Sequence, residues 1–146
     1  MTVFQEFGVP DPDASSGYYN YFVPIITLAD HAIDFYQPQC YNNYFHKTPG
    51  TVEYLQDVYL NWRNFQGLVS WGKPIANFSG VAGEKLLMGV LASTVAGGSS
   101  YYADDSVIKA FRDWLAANNY PLRGFMMWDS HWDDLNNNIV SNACTA

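Results

Sequence analysis

Short apolar runs divide the chain into four segments that predict β-strands. One run, KLLMGVLAS, is apolar on both faces, as the strands of a covered parallel sheet are. Another contains Pro38, which has no N–H for a central ladder, so we expect a bulge or an irregular ladder there. The four predicted strands occupy residues 1–6, 32–41, 85–93 and 123–129.

Apolar residues at helical spacing predict helices between these strands. A short helix at 17–28 is limited by Pro24, and a helix starting near Asp105 is capped by Asp104 or Asp105 and ends near Asn119. In the predicted helix at 51–65, the residues at helical spacing are Tyr54, Leu55, Val58, Trp62 and Phe65. In the helix at about 105–118, the residues that form one apolar face are Val107, Ile108, Phe111, Trp114 and Leu115.

The resulting order is β-α-β-α-β-α-β, ending in a short helix. Strands that alternate with helices predict a parallel sheet with right-handed crossovers. The stretch between the helix at 51–65 and the strand at 85–93 is predicted to be a loop. Periodicity alone leaves two architectures open, half of a (β/α)8 barrel or a small open α/β sheet.

The amino-acid composition argues against some classes of function. The chain has 146 residues, 49% of them hydrophobic and 14% charged, which argues for a folded domain. The net charge of −7 makes a nucleic-acid partner unlikely, and no apolar stretch is long enough for a membrane span. Aromatic residues reach 17%, and besides packing in a core such rings can line a sugar-binding groove.

The sequence contains no cofactor motif that we recognise. There is no phosphate loop and no Ser/His/Asp arrangement, and neither the cysteines nor the histidines have the spacing of metal ligands. We therefore expect no cofactor and no metal, and we expect the two cysteines to be free thiols. The residues in question are Cys40, Cys144, His31, His46 and His131.

Two strand ends carry recognisable motifs. One is Q-C-Y-N-N at residues 39–43, and the other is G-F-M-M-W-D at 124–129, followed by a second W-D at 132–133. These motifs resemble the ends of the sixth and eighth barrel strands of glycoside hydrolase family 18, the chitinases and related endo-N-acetylglucosaminidases. TVFQE at 2–6 and KLLMGVLAS at 85–93 are similar to the family's fifth and seventh strands.

The resemblance implies a fold class and a domain organisation. It predicts an α/β fold that is the C-terminal half, strands five to eight, of a (β/α)8 TIM barrel, with residues 1–146 forming part of the catalytic domain. A whole barrel needs about 200 residues or more. Departures at Gln5, Pro38 and Ser130–His131 leave the fold prediction intact and affect finer substrate detail.

The family's acid motif, D-x-x-D-x-D-x-E, is not found in the sequence. The three glutamates are Glu6, Glu53 and Glu84, and none has an aspartate two residues before it. We therefore expect strands one to four, with the glutamic acid that protonates the leaving group, to be missing and the chain to be inactive alone.

The resemblance also implies roles for individual residues in a substrate-assisted reaction. The hydroxyl of Tyr41 would donate to the N-acetyl oxygen of the sugar, which attacks its own anomeric carbon. Gln39 and Asn42 would hydrogen-bond the sugar, Trp128 would form the floor beneath it, and Glu6 would line the cleft.

For several residues near these motifs we expect structural roles and no role in catalysis. We expect Asp129 and Asp133 to cap the final turn or to pair locally, and His131 to be a surface residue. Trp71 lies in the predicted loop that leads into the strand at 85–93, and we interpret it as a packing residue on the stability face of the barrel.

Three hypotheses remain open. The chain is part of a chitinase, or a non-catalytic module that binds chitin or N-acetylglucosamine, or an unrelated small α/β domain. Expected partners are an N-acetylglucosamine oligosaccharide and either the missing half-barrel or a second copy that pairs with the open sheet edges. The family implies secretion, although the first residues do not form a signal peptide.

Overall fold

The computed structural model describes residues 2–4, 23–42, 47–64, 66–69 and 73–145. The strands in this part of the chain are β1 (Thr2–Phe4), β2 (Gln37–Gln39), β3 (Gln66–Val69), β4 (Lys73–Ser79), β5 (Leu87–Leu91) and β6 (Gly124–Trp128). The α-helices are α1 (Val23–Ala29), α2 (Val52–Asn64), α3 (Asp105–Ala117), α4 (Ser130–Leu135) and α5 (Ile139–Thr145). None of these helices is long and apolar enough to cross a membrane.

Four strands form one parallel sheet in the order β1-β2-β5-β6. The β5–β6 pairing is the most extensive, running from Leu87 opposite Gly124 to Leu91 opposite Trp128. Because all four strands run the same way, their carboxyl ends meet at one edge of the sheet. The remaining two strands, β3 and β4, form a separate antiparallel hairpin.

Helices α2 and α3 cover one face of the sheet. The buried residues of α2 are Tyr54, Leu55, Val58, Tyr59 and Trp62, and those of α3 are Ile108, Phe111 and Leu115. Fully burying a large apolar side chain contributes about 1.5–3 kcal/mol, so this helical layer supplies much of the stability. The apolar faces of both helices match the prediction from helical spacing.

The ends of α3 also follow the sequence signals. The Asp104 carboxylate accepts a hydrogen bond from Val107 N at 3.0 Å, which caps the first turn. At the other end Asn119 takes a left-handed conformation, φ 52°, and Tyr120 N donates to Leu115 O at 2.9 Å. This is the Schellman arrangement that terminates a helix.

The strand around Pro38 is shorter than predicted. The sequence indicated a strand over 32–41, whereas β2 spans only Gln37–Gln39, preceded by an isolated bridge between Tyr36 and Leu86. Pro38 has no N–H to donate, so pairing with β5 is reduced to that bridge and to Gln39 opposite Gly89. The irregular ladder expected at Pro38 is therefore confirmed.

Two other predictions are corrected. The segment after α2 is not only a loop, because it contains the β3–β4 hairpin. The end of the chain holds two short helices, α4 and α5, instead of one. In the hairpin, glycines and a proline interrupt the alternation that would have signalled strands, and at the chain end the apolar stripe is too short to show a period.

Some predictions fall on residues outside the described part of the chain. They concern Glu6 in the cleft, Phe65 on the apolar face of α2, Trp71 as a packing residue and His46. Of the predicted helix at 17–28, the structure describes the part from Val23 onward, and the helix there extends to Ala29.

The final two helices are held by aspartates, as the sequence indicated. Asp129 accepts from Trp132 N at the start of α4. Asp133 is only 1% exposed, and its carboxylate accepts from Val140 N at 3.1 Å and Ser141 N at 3.3 Å. A carboxylate at a helix N-terminus satisfies backbone donors that the helix itself leaves open.

Replacing Asp133 with Asn should destabilise the chain by about 1–3 kcal/mol. The amide keeps one acceptor oxygen but presents an N–H₂ group where the second backbone donor needs an acceptor. Urea denaturation followed by circular dichroism measures the change. The matched control is Asp134→Asn at the exposed neighbouring position, which should stay within about 0.5 kcal/mol of the parent. Equal stability of the two variants would contradict this role for Asp133.

Candidate functional site

The two faces of the sheet differ in what covers them. Alternate residues of its strands join the helical core cluster: Tyr36, Cys40, Leu86, Met88 and Val90, with Phe125 and Met127 packed against it. The residues between them point to the opposite side, because side chains alternate along a strand. We call that side the second face, defined by Gln37, Gln39, Tyr41, Leu87, Gly89, Leu91, Met126 and Trp128.

Direct contacts support this assignment of the second face. A Cβ built on Gly89 would lie 3.0 Å from Met126 Cε, so Met126 extends over Gly89 on the same side. The same Cβ would lie 2.8 Å from Pro38 O, which explains why glycine fits there. Leu91 is fully buried yet is not part of the helical core cluster. In a (β/α)8 barrel this side of the sheet is the interior.

Three predicted site residues lie on the second face near the carboxyl ends of the strands. Gln39 is opposite Gly89, and Trp128 is opposite Leu91. Tyr41 follows two residues after Gln39, beyond the end of β2. Its side chain is buried but is not part of the helical core cluster.

Tyr41 is held in a form that can donate a hydrogen bond. Its side chain is 5% exposed and lies outside the helical core cluster. Burial, with a smaller contribution from the neighbouring Cys40, raises the pKa of the Tyr41 hydroxyl to about 12. The phenol therefore keeps its proton throughout the neutral range, as a donor to a carbonyl oxygen must.

Trp128 is the most exposed large aromatic residue of this face, at 50%. It is the last residue of β6, and the peptide bond that follows it, to Asp129, is cis. Its carbonyl accepts from Ala92 N at 2.8 Å, which ties the end of β6 to the end of β5. An exposed indole face at this position can stack against the apolar face of a sugar ring.

Asn42 is positioned differently from the other three. It follows β2 in a left-handed conformation, φ 58°, which asparagine tolerates better than most residues. Its Oδ1 accepts from Gly98 N at 3.0 Å, so the side chain links the end of β2 to the loop after β5. Gln39 also contacts its own strand end, since Nε2 donates to Tyr41 O at 3.5 Å.

The structure thus brings Gln39, Tyr41 and Trp128 to one face of the sheet and places Asn42 at its rim, while Glu6 lies outside the described residues. The sequence did not reveal Asn136, whose Nδ2 donates to Ala92 O and to the Tyr102 hydroxyl, both at 3.0 Å. These bonds join segments far apart in the chain, and no local pattern signals them. Both cysteines are free thiols, as expected, and His131 is exposed.

Comparison with known proteins relates this arrangement to one family. No family model matches the chain. A stretch of 65 residues is 32% identical to a chitinase of Enterococcus faecalis (strain ATCC 700802 / V583), covering 42% of this chain and 19% of that protein.

Solved structures match over nearly the whole chain. A family GH18 chitinase from Chromobacterium violaceum matches 99% of this chain with a TM-score of 0.77 and 18% identity. A putative chitinase A from Streptomyces coelicolor matches 99% with a TM-score of 0.66 and 24% identity. A GH18 chitinase from Pseudoalteromonas aurantia matches 97% with a TM-score of 0.62 and 18% identity.

The chain therefore has the α/β fold of the barrels of glycoside hydrolase family 18, and the resemblance read from its motifs is confirmed. The three solved structures described above are named as chitinases, one of them as a putative chitinase. The chain spans 43%, 48% and 45% of the three solved chains, less than half of each.

Stability should fall at alkaline pH because of groups buried around this site. Burial raises the pKa of the Cys40 thiol to about 12 from 9.0 and that of Tyr41 to about 12 from 10.0. The folded state thus retains protons that the unfolded chain releases. The free energy of unfolding should therefore be constant below about pH 9. It should decrease up to about pH 12, by about 1.4 kcal/mol per pH unit for the thiol above pH 9 and by a similar amount for the hydroxyl above pH 10.

Urea denaturation between pH 7 and pH 11 measures this decrease. The variant Cys40→Ala should be less stable at pH 7, because it leaves a small cavity, but should lose stability less steeply above pH 9. A slope identical to that of the parent would show that the thiol does not titrate as its burial requires.

Proposed function

We propose that this chain forms strands five to eight of the catalytic barrel of a family 18 chitinase and supplies the residues that hold the sugar at the cleavage site. The observation that supports the proposal is the second face of the sheet, where Gln39, Tyr41 and Trp128 lie near the carboxyl ends of the strands. Active sites of (β/α)8 barrels lie at the carboxyl ends of the strands. Two of the relatives with this fold are named as family GH18 chitinases.

The chemistry we propose is hydrolysis of the β-1,4 bond between N-acetylglucosamine units. The N-acetyl oxygen of the sugar forms a bond to the anomeric carbon as the glycosidic bond breaks, and a glutamic acid protonates the leaving oxygen. The result is a cyclic oxazolinium, which water then opens with retention of configuration. Here the enzyme provides no nucleophile, so holding the acetamido group in line is its main task.

Tyr41 is the residue we assign to that task. Its hydroxyl is protonated at neutral pH, and burial, which raises its pKa to about 12, extends this to alkaline pH. A hydroxyl that donates to the acetamido oxygen would orient that oxygen toward the anomeric carbon. Trp128, half exposed on the same face, provides the apolar floor under the ring. Gln39 and Asn42 offer amide groups to the sugar hydroxyls. Glu6, which lies outside the described residues, is assigned to the lining of the cleft by the family resemblance alone.

The proton donor must come from another segment. None of the three glutamates of this sequence stands in the D-x-x-D-x-D-x-E pattern. We propose that the segment bearing this motif completes the barrel by covering the second face and by pairing with the edges of the sheet at β1 and β6.

We also propose that the protein is secreted, as the family resemblance implies.

The alternative is a module that binds N-acetylglucosamine chains without cutting them. Two features of the sequence favour it. The residues proposed to bind the sugar are present, and the acid motif is not found. Activity measurements on a completed barrel separate the two functions.

The chain alone should not cleave a fluorogenic chitobioside, and adding a segment that bears the acid strand of a family 18 barrel should restore cleavage. In the restored enzyme Tyr41→Phe should lower kcat by about a hundredfold or more, because a positioning donor is lost. The control is Tyr120→Phe, in the helical layer beside Trp114, which should leave kcat unchanged.

Three outcomes are informative. An unchanged kcat in Tyr41→Phe would remove the role assigned to that hydroxyl. A mixture that stays inactive, while the chain alone is retained on chitin beads, would favour the binding module. A chain that neither restores activity nor binds chitin would contradict both functions.

A further inference from the structure

The hydrogen-bond ladder between β5 and β6 ends at Ala92, the residue that follows β5. Ala92 is fully buried, and its N–H donates to Trp128 O at 2.8 Å. In a regular parallel ladder, the carbonyl of such a residue accepts from the partner strand two residues beyond the one that its N–H binds. For Ala92 that donor would be the N–H of Ser130, but β6 ends at Trp128 and Ser130 is already the first residue of α4. The buried carbonyl of Ala92 therefore needs a donor from elsewhere.

The side chain of Asn136 supplies this donor. Its Nδ2 donates to Ala92 O at 3.0 Å, a contact between residues 44 apart in sequence. The amide carries two hydrogens, and Nδ2 also donates to the Tyr102 hydroxyl at 3.0 Å. Tyr102 in turn packs against the helical core cluster. Asn136 thus extends the β5–β6 ladder by one bond and ties its end to the hydrophobic core.

Helix α4 connects Asn136 to the end of β6. At its start the Asp129 carboxylate accepts from Trp132 N. At its end Asn136 is the C-cap, and its N–H donates to Trp132 O at 3.1 Å and to Asp133 O at 3.0 Å. The residue before this helix and the residue after it are therefore both bonded to Ala92, one through its N–H and the other through its carbonyl.

We propose that Asn136 is a positioning residue for the candidate sugar site. By holding α4 against Ala92, it keeps the carboxyl end of β6 paired with β5 and so fixes the place of the Trp128 indole. This role rests on the proposed function, in which Trp128 lies beneath the sugar ring. Asn136 acts through Ala92 and Trp128, because both hydrogens of its amide are used within the protein.

Hydrogen exchange on the full 146-residue chain tests the link directly. Asn136→Asp keeps the size of the side chain but replaces the donor with an oxygen that faces Ala92 O. The Ala92 amide, which is bonded to Trp128 O, should then exchange about tenfold faster. The Leu87 amide, bonded to Tyr36 O at 2.9 Å at the other end of β5, should keep its rate. A loss of global stability alone would accelerate both amides.

A second variant and a matched control accompany this measurement. Tyr102→Phe removes one acceptor of the Asn136 amide and should accelerate exchange at Ala92 by a smaller factor, about threefold. The control is Asn118→Asp. Asn118 is the C-cap of α3, and its Nδ2 donates to Trp114 O at 2.8 Å within the same helix, so exchange at Ala92 should not change.

The effect on the site is measured at the Trp128 indole and with di-N-acetylchitobiose. In the NMR spectrum of the free protein, Asn136→Asp should shift the indole N–H signal, which Trp128→Phe assigns. In a titration the same variant should raise the dissociation constant of the disaccharide about fivefold. Asn118→Asp should change neither.

Exchange at Ala92 that keeps the parent rate in both Asn136→Asp and Tyr102→Phe would overturn the positioning role. Equal acceleration at Ala92 and Leu87 would overturn it too, and so would an unchanged Trp128 indole signal and dissociation constant in Asn136→Asp. A parent that does not bind the disaccharide would overturn the proposed function, a result on which the exchange rates and the indole signal of the free protein do not depend.

Discussion

The register of β5 with its two neighbours fixes the geometry of the candidate site. Pairing with β6 places Trp128 opposite Leu91, and pairing with β2 places Gln39 opposite Gly89. A shift of one residue would turn every side chain of a strand to the other face. It would then place Trp128 against the helices and Met127 on the second face. Glycine at position 89 permits the close approach of β2 in this register, because a Cβ there would meet Pro38 O at 2.8 Å.

One sheet therefore serves two purposes. Its helical face, with Met88 and Val90, packs on α2 and α3 and stabilises the fold. Its second face carries polar and aromatic groups that bind a neutral sugar in the proposed function. The loops beyond the strands are pinned by hydrogen bonds between distant segments, such as Asn42 Oδ1 with Gly98 N and Asn136 Nδ2 with Ala92 O. Such pinning keeps side chains in place before a ligand arrives, which lowers the cost of binding.

Much of the fold was predictable because its signals are local. The apolar stripes of α2 and α3, the Asp104 cap and the effect of Pro38 on the ladder all follow from short stretches of sequence. The hairpin was missed because glycine and proline interrupt the alternation within it. Tyr41 and Trp128 were predicted as candidate site residues from motifs at strand ends. The bond from Asn42 to Gly98 and the role of Asn136 depend on tertiary contacts across the chain, which no local pattern encodes.

An NMR titration of the chain with di-N-acetylchitobiose tests most directly whether the second face holds the sugar. Binding there predicts chemical-shift changes at Gln39, Tyr41, Asn42 and the Trp128 indole, with Ile108 and Trp114 in the helical layer unchanged. Shift changes confined to the helical layer, or no changes at millimolar ligand, would contradict a sugar site on this face.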